Sequence, residues 1–202
     1  MKKIFKILLV IIFLVVLGFG AFYFLNKGTK KKATEVKVVD KIDGYNYTLS
    51  DNATNLYKNS FKELKKVLES KNIDDEKYAT LVAKMFIIDF FTLDNKLTND
   101  NIGGVEFIHK KEVENFKLKA KDTIYKYLES NIYGDRKQEL PEVSKIENTK
   151  VTTTEVSYKD IKDSKAYKVE VSFDYKKKLG YPTKKTLLLV HEDKLISIIE
   201  MK

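Results

Sequence analysis

Cysteine and tryptophan are absent from this chain of 202 residues, arginine occurs once, at Arg136, and histidine twice, at His109 and His191. Each shortage removes a class of chemistry. Without thiols there is no thiolate nucleophile, no cysteine zinc site, no disulfide and no lipid attached through cysteine. A single guanidinium leaves little capacity for forked recognition of phosphate or carboxylate, which lysine cannot reproduce. With 37 lysines against that one arginine, the bias points to an AT-rich bacterial genome. His109 and His191 fall on different segments, with neither HExxH nor a paired metal-binding spacing, and read as ordinary surface histidines. No GxSxG elbow frames a serine, and no GxGxxG or GK[ST] run frames a phosphate. The chain is therefore read as non-enzymatic, with no cofactor and no metal.

Its formal charge of +9 invites a nucleic-acid reading that the distribution of charge removes. Residues 1–32 hold seven lysines and no acid, so the remainder carries 31 basic and 29 acidic residues. A nucleic-acid binder concentrates its basic residues on the folded module. Here the excess flanks a greasy segment, where lysines meet anionic lipid headgroups, and no nucleic-acid partner is expected.

That segment is residues 7–25, nineteen consecutive uncharged residues, with Lys2, Lys3 and Lys6 before it and Lys27, Lys30, Lys31 and Lys32 after. At about 1.5 Å of rise per residue, such a helix matches a hydrocarbon core about 30 Å thick. The flanks differ by one lysine, so charge bias alone does not orient the span. Long C-terminal domains cross the membrane with little regard to charge, which favours a cytoplasmic N-terminus and an extracytoplasmic domain. The expected plan is a tail (1–6), a single transmembrane anchor (7–25), a lysine-rich linker (26–44) and an α+β domain (45–202). A cleaved secretory signal is the competing reading, with Gly18, Phe19 and Gly20 as the small-x-small triplet and secretion as the outcome. Against it, apolar residues continue through Leu25, and Phe22, Tyr23 and Phe24 suit an interfacial aromatic belt.

The domain changes period part-way along. Ser50 and Asp51 are N-cap types, and Leu56, Tyr57, Ser60, Phe61, Leu64, Val67 and Leu68 then recur at helical spacing, predicting a helix over 51–70. A second helix over 75–92 is apolar all round at its end and should be the buried central one. A third is predicted over 110–131, ended by Gly134. Beyond Pro141, Tyr167, Val169, Val171, Phe173 and Tyr175 alternate with polar residues, and neighbouring segments at 150–158, 186–191 and 195–201 complete four strands. Glu192, Asp193 and Lys194 form a hairpin connection. Helices followed by strands predict about three helices packed on one face of a four-stranded antiparallel sheet. A short strand is also marked at 36–39, within the linker.

This succession of anchor, linker, three helices and four antiparallel strands resembles the nuclear-transport-factor-two superfamily over residues 45–202. Among its members it is similar to the bitopic assembly factors of type IV secretion and conjugation machines. The resemblance implies a curved, cone-like sheet and a structural place in an envelope assembly, though fold likeness transfers no activity. The stretches 86–93 and 125–140 also look like envelope proteins of low-GC Gram-positive bacteria.

Asp89, inside Ile87, Ile88, Phe90 and Phe91, is the residue most suited to chemistry, because burial disfavours a carboxylate's charged form. It is read either as the polar group of a cavity between helices and sheet or, more plainly, as a partner for a lysine or for backbone near the helix end. The loop of Asp94, Asn95, Thr98, Asn99, Asp100, Asn101 and Gly103 is rich in oxygen donors but lacks the EF-hand order and its closing glutamate. Tyr125, Tyr127 and Tyr133, apolar with a hydrogen-bonding tip, are the candidate interaction face. The function expected is a membrane-tethered, extracytoplasmic interaction or structural domain that meets other envelope proteins. The alternative is a pocket protein using Asp89.

Overall fold

Beyond Pro141 the chain alternates apolar and polar residues, and there the computed structural model, which describes residues 15–19 and 33–202, has its four long strands. The tail, the lysine flanks and the rest of the expected anchor lie outside the described residues; residues 15–19 are helical. Among the described residues, no helix is long and apolar enough to cross a membrane.

Thr34–Lys202 forms one compact unit, so the stretch read as linker joins the fold from residue 34. Strands β1 (Val38–Lys41) and β2 (Thr48–Ser50) form a small antiparallel pair. Helix α1 (Asn55–Leu68) follows, then α2 (Asp75–Phe91), a 3-10 turn at Val105–Phe107 and α3 (Val113–Asp122). The second sheet is an antiparallel meander in the order β3 (Val143–Tyr158), β4 (Ile161–Tyr175), β5 (Lys184–Glu192) and β6 (Leu195–Met201). The α+β class, the three helices and the four-stranded sheet all match the periodicity.

Helix α1 starts at Thr54, whose hydroxyl accepts the Tyr57 N–H at 3.2 Å. Ser50 and Asp51 are not its caps, because Ser50 pairs with Val38 and the Asp51 N–H donates to the Lys37 carbonyl. Asp74 caps α2 through the Lys77 N–H at 3.0 Å. From Tyr78 onward only Thr80, Lys84 and Asp89 of α2 keep partial exposure. The helix is the central one, touching α1 on one side and β3, β4 and β6 on another. Each large side chain buried along it contributes about 2 kcal/mol of apolar transfer.

Helix α3 ends nine residues before the predicted limit, and the reason is Tyr125. Ala120 faces the core, and a residue five positions on would point about 140° away at 3.6 residues per turn. Tyr125 is nevertheless fully buried, so the chain leaves the helix at Thr123, whose φ of −122° and ψ of −100° are not helical. The Tyr125 N–H then reaches back to the Ala120 carbonyl at 3.0 Å.

In the meander, Val169, Val171, Phe173, Leu187 and Leu189 face the helices, with Phe91 and Phe173 ring centroids 5.4 Å apart. β3 is an edge strand studded with Lys145, Glu147, Lys150 and Glu155, charges that discourage a further strand from pairing there. Near the β3–β4 turn, Val156, Ile161, Ala166 and Val190 make a second small apolar cluster. Ala166 and Val190 adjoin Tyr167 and Leu189 in sequence, so the cluster lies on the opposite face of the sheet.

Candidate functional site

An acid within an apolar run needs partners, and Asp89 finds two in the loop that follows its helix. Its Oδ1 pairs with the Lys96 ammonium, and its Oδ2 accepts the Gly104 N–H at 2.6 Å. The Lys96 side chain is 10% exposed and that of Asp89 26%, so the pair is largely removed from water. The plain reading of Asp89, a carboxylate facing a lysine and capping backbone, therefore holds in both respects.

The contact demands glycine. A Cβ on Gly103 would stand 2.3 Å from the Asp89 carbonyl oxygen, and Gly104 has φ +75° with the Phe86 ring in the way of any side chain. The Gly103 N–H donates to the Tyr125 hydroxyl at 3.0 Å, and that hydroxyl donates to the Phe90 carbonyl at 2.9 Å. On the far side of the loop, Arg136 donates to the carbonyls of Asp94 (2.6 Å), Lys96 (2.8 Å) and Glu129 (3.2 Å).

Directly after the two glycines, Val105, Glu106, Phe107 and Ile108 repeat the pattern of an acid among apolar residues. Glu106 Oε1 accepts the Tyr57 hydroxyl at 2.7 Å, and Oε2 accepts both the N–H and the hydroxyl of Thr48 at 3.0 Å. Burial pushes its carboxyl up to about 7, against the pull of the Tyr57 and Thr48 donors, and the neighbouring charge of Asp89 adds to the rise. The Tyr57 hydroxyl, desolvated and facing Glu106, is pushed well above its ordinary range.

Asp89 and Glu106 line one recess of about 410 Å³, with Thr48, Tyr57, Asn95 and Lys96 among its other walls. That volume lies in the range of small-molecule sites, about 300–1,000 Å³. The recess is bounded by α1, α2, the β1–β2 pair and the loop after α2, and no residue of the four-stranded sheet lines it. This corrects the expected position: Asp89 does line a cavity, but not one between helices and sheet. A groove of about 380 Å³ does run between them, lined by Phe86, Phe90 and Phe116 opposite Leu188, Ile198 and Met201. Asp89 takes no part in it.

The three tyrosines do not share a face. Tyr125 is core, whereas Tyr127 and Tyr133 are 77% and 50% exposed, and all three lie beyond the end of α3. Burial of the Tyr125 ring also raises its hydroxyl well above the ordinary range. His109 is buried rather than superficial, its Nδ1 accepting the Lys111 N–H at 3.2 Å and its Nε2 3.8 Å from Glu192. His191 stays half-exposed, with Nδ1 2.8 Å from Asp163. In the oxygen-rich loop, Asn101 Oδ1 accepts the N–H and hydroxyl of Thr98 at 3.0 and 3.1 Å.

Glu106, Thr48 and Lys96 are site residues that periodicity passed over, whereas Tyr57 lies on the predicted apolar stripe of its helix with no sign of its contact to Glu106. The run of Val105 to Ile108 carried the same signal as the run around Asp89, whereas Thr48 and Lys96 join the site only through tertiary contact. No family profile, curated protein or solved structure matches this chain.

Proposed function

We propose that the chain is a single-pass protein of the bacterial cell envelope, N-terminus in the cytoplasm, whose extracytoplasmic domain works by binding and not by turnover. The nineteen-residue apolar segment and its lysine flanks support the tether. The observation that carries the binding role is the recess itself: two carboxylates, one ammonium and a ring of hydroxyl and amide groups set in apolar walls beside the central helix. Asp89 and Glu106 are occupied by neighbouring donors in a way that fixes their positions, which is what a preorganised binding wall needs. Tethering adds to this, because confinement to a surface raises the effective concentration of a weakly bound partner.

A second role, contact with other envelope proteins as part of a conjugation-type or secretion-type assembly, is favoured by a different observation. Leu118, Tyr127 and Tyr133 are large and exposed, and the groove beside β6 sets aromatic and aliphatic residues beside the polar Glu112, Lys119 and Glu200. A cone-like curvature of the sheet, as in the superfamily named above, belongs to this same reading.

Two experiments test the proposal. A reporter fused after Lys202 that is active only outside the cytoplasm supports the topology, and a mature chain free in the culture medium replaces the tether with a cleaved signal. Photo-crosslinkers placed at Tyr127 and Tyr133 in intact cells should capture specific membrane proteins if the second role operates. Capture at neither position removes that role and leaves the recess as the working part.

A further inference from the structure

The recess has more to say about what it holds, and the inference rests on reading it as a binding site. Of the described residues that line it, Lys96 is the one cation, and Asp89 occupies it; Asp89 and Glu106 are the two acids. The wall therefore carries one negative charge beyond what it compensates when Glu106 is ionised.

The two carboxylates also keep acceptor capacity. A carboxylate offers about four acceptor sites. Asp89 uses one for Lys96 and one for Gly104, and Glu106 uses three for Tyr57 and Thr48, so both retain capacity. Asn95 adds an orphan: among the described residues its Oδ1 is buried without a hydrogen-bond partner. Its orientation is fixed, because Nδ2 donates to the Asn52 carbonyl at 3.2 Å while the Asn52 amide donates to the Asn95 carbonyl at 2.9 Å. Rotating the amide would set oxygen against oxygen. A buried acceptor left unsatisfied is costly, but this oxygen is closed to a water-sized probe and lies out of reach of a group in the recess. Val36, Ala53, Leu97 and Ile102 add aliphatic surface, and Ser50 and Asn101 add neutral polar groups.

We infer that the recess binds a small primary ammonium carrying a short aliphatic body. The three N–H groups of an ammonium match the surplus acceptors, its charge offsets the second carboxylate, and the aliphatic part covers the apolar wall. An anion finds no free cation among the described lining residues, and a neutral alcohol leaves the charge uncompensated.

Binding depends on pH through Glu106, which is faced by Tyr47 and Thr48 at the start of β2, by Tyr57 of α1 and by Asp89 of α2, itself paired with Lys96. Below neutrality Glu106 holds a proton and the surplus charge disappears. Above neutrality it is ionised and the ammonium is drawn in.

The test uses the full chain in lipid nanodiscs, with amide resonances of Gly103, Gly104 and Glu106 followed during titration with n-butylammonium, n-butanol and butyrate. The ammonium stays charged throughout the pH range of interest. It should shift these resonances saturably, about tenfold more tightly at pH 8 than at pH 5.5, and more tightly than the alcohol by a similar factor. Butyrate should leave them in place. Glu106→Gln should remove the pH dependence; the amide nitrogen can face Tyr57, whose hydroxyl turns to accept. If that variant does not fold, the preference of the wild type for the ammonium over butanol, which should be clear at pH 8 and lost at pH 5.5, decides the same point. Saturation by butanol or butyrate as tightly as by the ammonium overturns the ammonium chemistry and leaves a binding recess. Saturation by none of the three overturns both.

Discussion

The central helix α2 has two unlike surroundings. Towards the meander its neighbours are mostly apolar, with Phe91 set against Phe173, and the polar contacts are few: Asp75 lies 3.9 Å from His191 and the Tyr78 hydroxyl accepts the Ile196 N–H at 3.4 Å. Towards the loop after its C-terminus it meets Lys96 and Gly104, which bond to Asp89, and Gly103, which packs closely against the Asp89 carbonyl, while the charge of Glu106 lies near by. The first surrounding gives cohesion chiefly by apolar burial. The second gives position, at the cost of burying charge, and it offers a ligand charge and hydrogen bonds to recognise.

Deleting the apolar contact should have the largest effect on stability. Phe91→Ala removes a side chain that is 1% exposed and should cost about 4 kcal/mol, read from the urea midpoint. A loss below about 1 kcal/mol would mean that the sheet side is not the main source of cohesion. On the polar side, Asp89→Asn keeps an acceptor for Gly104 but leaves Lys96 without its countercharge, and about 3 kcal/mol should be lost. The loss should vanish in Lys96→Met/Asp89→Leu if packing alone matters there.

Protons should separate the two sides further. Glu106 is held at about 7 in the folded chain against 4.5 for a free glutamate carboxyl, so the folded state binds more protons between those values. Stability supplied through this group is therefore greatest below about pH 4.5, falls as pH rises through 7, and then levels, a change of about 3 kcal/mol. Urea denaturation of the wild type and Glu106→Gln at pH 5 and pH 8 isolates it, the variant lacking the slope. Phe91→Ala should retain it. Smallest of all, Tyr127→Ser at a 77% exposed position should change stability by less than about 0.5 kcal/mol, so any loss of crosslinked partners can be assigned to the surface itself.

What could be read from residues alone follows from which side they lie on. Apolar packing repeats with the period of its element, so α1, α2 and the meander were legible from Leu56 to Leu68, from Tyr78 to Phe91 and from Tyr167 to Tyr175. Non-periodic constraints were not. The end of α3 is decided by one tyrosine whose hydroxyl bridges Gly103 and Phe90, far apart in sequence. Asp89 was legible because a lone acid in an apolar run is conspicuous, but its cavity was assigned to the wrong wall, since neither Thr48 nor Lys96 advertises a tertiary partner. β1 overlaps the strand marked at 36–39 at Val38 and Val39 alone, and its pairing is not legible, because Ser50, the partner of Val38, carries the N-cap signal of the helix that follows.

Arg136 stands out in a chain whose other 37 basic residues are lysine. Its guanidinium spans three carbonyl oxygens on two separate segments, which an ammonium, a single point of charge on a flexible stem, cannot span with the same geometry. Mutational drift towards adenine would readily turn it into lysine, and the first casualty would be the seating of the strip from Asp94 to Lys96 rather than any surface property. The sole arginine thus works as a splint for the segment that presents Asn95 and Lys96.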